Sequence, residues 1–150
     1  MKGHVIGAIL LALTLAMTAS GQAADLALWT FEASVPVNAG PHTPESGAYA
    51  FAGISAANGV HADPNTAYNN PTGNGSVESF SSTNWGVGDY YEFKTRTLGY
   101  MGVTVSWDQT SSNTGPRYFV LQYSTDGSTF TQLGSQYSVL ANAAPNAPWS

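Results

Sequence analysis

Once the first two dozen residues are set aside, the chain holds two histidines, His42 and His61, and no cysteine. Nucleophilic catalysis therefore has few starting points. A Ser-His-Asp arrangement would run through His61 and Asp63, whose side chains share a direction in an extended segment. No serine stands in a Gly-x-Ser-x-Gly elbow, and the His61/Asp63 spacing equally suits a solvated loop. No catalytic residue is assigned. Paired carboxylates for glycoside cleavage must face each other at roughly 5–10 Å, and Glu92 with Asp108 is the nearest approach to such a pair. Glu92 is read instead as a partner of Lys94 or Arg96 on a solvated strand face. A metal site here could only be oxygen-rich, which means calcium. Asp63, Asn65, Asp89, Asp108 and Asp126 supply loop oxygens, but none falls in an Asp-x-Asp-x-Asn-Gly pattern. No metal ligand and no cofactor is assigned; a structural Ca²⁺ stays open, and Asp126 reads as a turn residue.

Carbohydrate binding is the sharpest chemistry the residues offer. Sugar sites combine an aromatic platform with a few polar groups that bond hydroxyls. Trp85 stands in a Gly-flanked loop, and Tyr90 faces outward by strand alternation. Asp108, Gln109, Asn113 and Arg117 cluster around a second loop. These six residues are the candidate ligand site. The competing reading makes Trp85 a plug beneath its loop.

The elements that must position them are strands. Tyr90–Arg96, Met101–Trp107 and Tyr118–Ser124 alternate with period two and are rich in β-branched and aromatic residues. Alternation places Tyr91, Phe93 and Thr95 inward, then Met101, Val103, Val105 and Trp107, then Phe119, Leu121 and Tyr123. Thr125-Asp126-Gly127-Ser128 supplies a tight turn, and Phe130 and Leu133 belong to the returning strand. Leu26–Glu32, Ser76–Phe80 and Tyr137–Leu140 are further strand candidates. Between Ala33 and Ser76 the period disappears among prolines, with short strands expected at Ala48–Ile54 and Val60–Ala62 because so long a structureless loop is improbable. Many short strands with frequent turns and almost no helical period predict an all-β chain, an antiparallel β-sandwich.

Met1-Lys2, the apolar run Val5 to Ala19 and the small residues up to Ala24 have the layout of a signal peptide, with cleavage after Ala23 or Ala24. The apolar run is shorter than the roughly 20 residues of a spanning helix. The expected division is residues 1–24 as leader and 25–150 as one β domain, with no membrane span in the mature chain. Lys and Arg number four against nine Asp and Glu, and losing Lys2 with the leader leaves three cations against nine anions, a net −6. Binding to a phosphate backbone has no electrostatic footing, so nucleic acid is not an expected partner. Charged residues make up 9% of the chain, far below the ~25% of ordinary soluble domains, and Ser, Thr, Asn and Gly take their place. That is a habit of extracellular β proteins. Without cysteine no disulfide can staple the domain, so its aromatic residues must supply the core.

Leu28-Trp29-Thr30-Phe31-Glu32, Gly73-Asn74-Gly75-Ser76, Asn84 to Phe93 (NWGVGDYYEF), Val105 to Arg117 (VSWDQTSSNTGPR) and Tyr123 to Gly127 together resemble secreted bacterial proteins of the PEP-CTERM, exosortase-sorted type. The resemblance implies a jelly-roll domain like galactose-binding modules, in a cell-surface or matrix protein without enzymatic activity. The Pro-Glu-Pro motif, membrane helix and basic cluster of that family are absent from these residues. Either the reading frame continues to them, or the resemblance concerns the β domain alone; six or seven firm strands against the usual eight of a jelly roll lead us to expect a β domain that lacks its last strands here and belongs to a longer reading frame. Asn74-Gly75-Ser76 matches a glycosylation acceptor and reads as a turn in a bacterial protein. The expected function is a secreted, non-enzymatic surface component with a carbohydrate-binding β-sandwich and extracellular polysaccharide as partner. The alternative is an accessory or degenerate module of a carbohydrate-active enzyme.

Overall fold

The computed structural model describes residues 24–142. The expected leader, all but Ala24, and the stretch 143–150 lie outside the described residues. The described chain is all-β. Its strands are β1 (Ala56–Val60), β2 (Tyr68–Asn69), β3 (Ser81–Ser82), β4 (Tyr90–Lys94), β5 (Ser111–Ser112), β6 (Tyr118–Tyr123), β7 (Thr131–Ser138) and β8 (Ala141–Asn142). They pair two by two: β1 with β4, β2 with β3 and β6 with β7, all antiparallel, and β5 with β8 in parallel. Among the described residues no helix is long and apolar enough to cross a membrane.

The longest ribbon, β6–β7, follows from its own alternation and from the turn that closes it. Asp126 Oδ1 accepts hydrogen bonds from the Ser124 hydroxyl at 2.9 Å and from the amides of Ser128 and Thr129 at 2.8 and 2.7 Å. Those donors hold the Asp126 carboxyl far below the usual carboxylate range, the Thr129 and Ser128 amides most of all. Phe119 faces Tyr137 and Leu121 faces Leu133, with a register shift between them. Gly134 sits in that irregularity at φ +73°, the left-handed conformation a bulge residue needs and glycine adopts without strain.

β1 has no apolar alternation to announce it. It forms because β4 offers a ladder, and because Tyr68 lies flat against it. A Cβ on Gly59 would stand 2.5 Å from Tyr68 Cε1, so only glycine lets the ring approach. The Tyr68 hydroxyl then donates to the Gly59 carbonyl at 3.2 Å.

Ring contacts join the two halves of the molecule. Phe31 meets Phe80 (5.5 Å between centroids), Phe80 meets Tyr91 (4.6 Å), and Tyr91 meets Trp85 (5.0 Å). Trp85 meets Phe119 (6.0 Å), Phe119 stacks on Tyr137 (6.1 Å), and Tyr137 meets Trp107 (6.0 Å). Rings at 4.5–7 Å in tilted or edge geometry attract beyond simple burial. This line of rings is the spine of the core, and it ends in solvent at Trp107.

Several expected strands take other forms. Leu26–Glu32 makes a single bridge, Leu28 to Ser46, and then turns at Phe31, whose φ is +63°. The cause is Glu45: its carboxylate accepts the amides of Thr30, Ala33 and Ser34 at 2.9, 3.3 and 3.4 Å, which curls the segment around one side chain. Ala48–Ile54 is a run of turns, with Ala50, Phe51, Ile54 and Ser55 amides bonding back two to four residues. Val60 ends β1 and the Val60–Ala62 strand does not form. Ser76–Phe80 is irregular, and Tyr137 and Ser138 belong to β7 instead of opening a new strand. Met101–Trp107 has no ladder partner among the described residues, and Gly102 turns it at φ +65°. Met101, Val105 and Trp107, expected inside, are 95%, 71% and 45% exposed. Phe119 and Leu121 are half-buried, while Tyr123 is exposed.

Removing the Glu45 acceptor leaves three amides of the 30–34 turn without a partner. Hydrogen bonds to a charged group are worth about 1.5–3 kcal/mol, and two of these three are long. Glu45→Ala is therefore expected to lower stability by about 2 kcal/mol in urea unfolding with an unchanged slope.

Candidate functional site

Two groups of side chains stand out, one polar and closed, the other aromatic and open. The polar group is a chain of four residues. His61, just beyond β1, places Nδ1 3.1 Å from Asp89 Oδ2 and Nε2 2.9 Å from Ser82 Oγ. Ser82 Oγ lies 2.7 Å from the Tyr91 hydroxyl. Asp89 also accepts the Ala62 amide at 2.9 Å and the Gly86 amide at 2.6 Å. Asp89 can only accept, so with the ring neutral Nδ1 carries the proton and Nε2 is the acceptor. Ser82 then donates to His61 and accepts from Tyr91.

The His61 and Asp89 side chains are 1% and 3% exposed. The Gly86 and Ala62 amides, followed by His61, hold the Asp89 carboxyl below its ordinary range. Burial pushes the Tyr91 phenol up to about 12, against a smaller opposing effect of the Ser82 bond. Burial, aided by the Asp89 charge, also raises Tyr68.

Asp89, His61 and Ser82 reproduce the order of a nucleophilic relay. The surroundings pack closely around it. Trp85 roofs the imidazole at 4.5 Å in edge geometry, its indole N–H tied to the Ser82 carbonyl at 3.1 Å. The neighbouring amides are already committed: Gly86 and Ala62 to Asp89, Thr83 to the Ala67 carbonyl. The chain is a satisfied internal network that fixes the 82–91 segment against β1. The His61/Asp63 spacing noted in the sequence does not bring those two side chains together as partners. Asp63 caps its own turn through the Asn65 amide at 2.8 Å, and Asp89 is the partner of His61. The other histidine, His42, is buried, with Nδ1 3.3 Å from Ser34 Oγ and Nε2 3.0 Å from the Asn38 carbonyl.

The network makes stability depend on acid in a definite sense. The Asp89 carboxyl is depressed in the folded state, so its contribution is complete above the unfolded value of about 4 and is lost as pH falls through the folded value. Asp126 acts in the same window. Thermal melts across pH 2–6 are expected to fall steeply below pH ~4, and Asp89→Asn is expected to flatten that fall while lowering the neutral-pH midpoint.

The open group is a cleft of about 240 Å³ lined by Ser106, Trp107, Gln109, Tyr137 and Val139. Trp107 and Tyr137 meet at 60° between their planes. The Tyr137 hydroxyl donates to Gln109 Oε1 at 2.9 Å, and burial raises that phenol above its ordinary range, Trp107 opposing. Val139 is buried and its amide donates to the Arg117 carbonyl at 2.8 Å, which anchors the end of β7 to the residue before β6.

Of the six residues expected to form the ligand site, this cleft contains Gln109. Asp108, Asn113 and Arg117 are exposed in the neighbouring connections, and Tyr90 is 45% exposed opposite Val60 at the start of β4. Trp85 is half-buried over His61, with Tyr91 and Phe119 against its edges. Glu92 pairs across the ladder with Asn58, and among the described residues no Lys or Arg stands within salt-bridge distance of a carboxylate, so neither Lys94 nor Arg96 is its salt-bridge partner. Arg96 lies over the Tyr49 ring at 5.9 Å. Among the described residues no three acidic or histidine side chains converge as metal ligands. Trp107 and Tyr137 were missed because alternation alone placed Trp107 inside. The usable signal was the Trp-Asp-Gln sequence 107–109, an aromatic followed by two polar side chains.

No known protein family matches the chain, and no curated protein or solved structure matches it either.

Proposed function

We propose that this is an exported cell-surface or matrix component that binds carbohydrate without transforming it. The observation that carries the reading is the Trp107–Gln109–Tyr137 cleft. A half-exposed indole beside a phenol and a carboxamide offers a pyranose both an apolar face to stack on and groups to bond its hydroxyls. The low charge and hydroxyl-rich surface suit an extracellular setting, and the leader-like start suits export. In this reading the paired ribbons are parts of a jelly-roll sandwich of the galactose-binding kind, within a protein of the exosortase-sorted type.

A glycan array probed with the purified chain tests the function, with Trp107→Ala as control. Retention of defined glycans by the parent and not by the variant supports it; a folded parent silent across the array overturns it. Sequencing the secreted protein tests export, a start at Ala24 or Asp25 being the expected result.

A further inference from the structure

We infer that the cleft selects a single uncharged pyranose residue and discriminates against uronic or sulfated sugars. The inference rests on the carbohydrate reading above and concerns what that same site accepts. Its lining residues are Ser106, Trp107, Gln109, Tyr137 and Val139. None carries a charge at neutral pH, since burial only moves the Tyr137 phenol further from ionisation.

A carboxylate or sulfate brought into such a lining gives up water and gains no cation, and an uncompensated anion is costly to desolvate. The long-range field acts in the same direction. The chain carries a formal −5, and the exposed Asp108 stands between Trp107 and Gln109. Arg117 reaches the cleft's edge through its backbone, as the acceptor for the Val139 amide, and is not part of the lining. The cleft, about 240 Å³ against the ~300–1,000 Å³ of pockets that enclose drug-sized ligands, has room to hold one ring, and any further rings of a longer glycan would lie outside it. Indole and phenol planes suit the C–H face of the ring, while the Gln109 amide and Ser106 hydroxyl suit its equatorial hydroxyls.

The test is calorimetric titration of the full chain with methyl glycosides of neutral hexoses and of the matching uronic acids, at low and at moderate salt. Neutral glycosides are expected to bind at least tenfold more tightly than uronates, with binding lost in Trp107→Ala and weakened in Gln109→Ala. Gln109→Ala removes one half-buried side chain that accepts the Tyr137 hydroxyl and serves if the tryptophan variant fails to fold. Uronates binding as well as or better than neutral sugars, with the preference abolished by Arg117→Gln, overturns the inference and leaves the carbohydrate reading standing. Binding that survives both cleft substitutions overturns the placement of the site. Silence towards every glycoside, with the glycan array also silent, removes the inference together with the function it rests on.

Discussion

Trp107→Ala is expected to abolish carbohydrate retention while leaving the fold nearly untouched. Trp107 is 45% exposed and stands at the free end of the ring line, touching Tyr137 from one side. An aromatic anchor at the centre of a binding site is worth about 2 kcal/mol or more on truncation, roughly a thirtyfold loss of affinity. Losing one outer ring contact costs about 1 kcal/mol of stability, a shift of a few degrees in melting temperature. Trp85→Ala should behave in the opposite way. It unroofs His61 and removes the contacts to Tyr91 and Phe119 in the middle of the line, so stability falls and any loss of binding follows unfolding.

His61→Ala is expected to be the most destabilising single change in the described chain. It strips Asp89 of its ring partner and Ser82 of its acceptor, and it removes the surface against which Trp85 and Tyr68 pack at 4.5 and 5.7 Å. Breaking a buried pair by deleting one member, or truncating a large buried ring, costs about 3–5 kcal/mol. The apolar interior is thin: Phe31, Ala57 and Val139 are the buried hydrophobic residues among those described. Against a typical total of about 5–15 kcal/mol, such a loss leaves little of the native state. Urea unfolding should show a large drop in midpoint. Ser82→Ala is the companion test: it breaks the middle of the network, so it should destabilise by about 1–2 kcal/mol.

The parts of the fold that could be read from the residues are those whose stabilisation is local. β4 and β6 lie within a residue or two of their expected bounds because alternation marks them, and the β6–β7 turn is where Asp126-Gly127 places it. What escaped is held by long-range polar contacts that leave no period in the sequence. Glu45 reaches back to residues 30–34, the Ser55 hydroxyl joins the Tyr49 carbonyl to Thr95, and His61 finds Asp89. β1, with the sequence Ala-Ala-Asn-Gly-Val, depends on β4 for its pairing and on Tyr68 for its glycine. Alternation predicted the faces of Met101–Trp107 but presupposed a neighbouring strand. With no ladder partner there among the described residues, the inward set stands in solvent. Of the residues lining the proposed cleft, the sequence pointed to Gln109 as a ligand group; alternation had put Trp107 on an inward face, and Tyr137 is brought up across the ribbon by β7.

The most direct measurement is a titration of the labelled protein with a neutral methyl hexoside, following the tryptophan indole and glutamine amide signals by NMR. Saturable shifts confined to the Trp107 indole and the Gln109 side chain, with the Trp85 indole still, are the expected result. Movement of Trp85 in place of Trp107, or no movement at any sugar concentration, would contradict it.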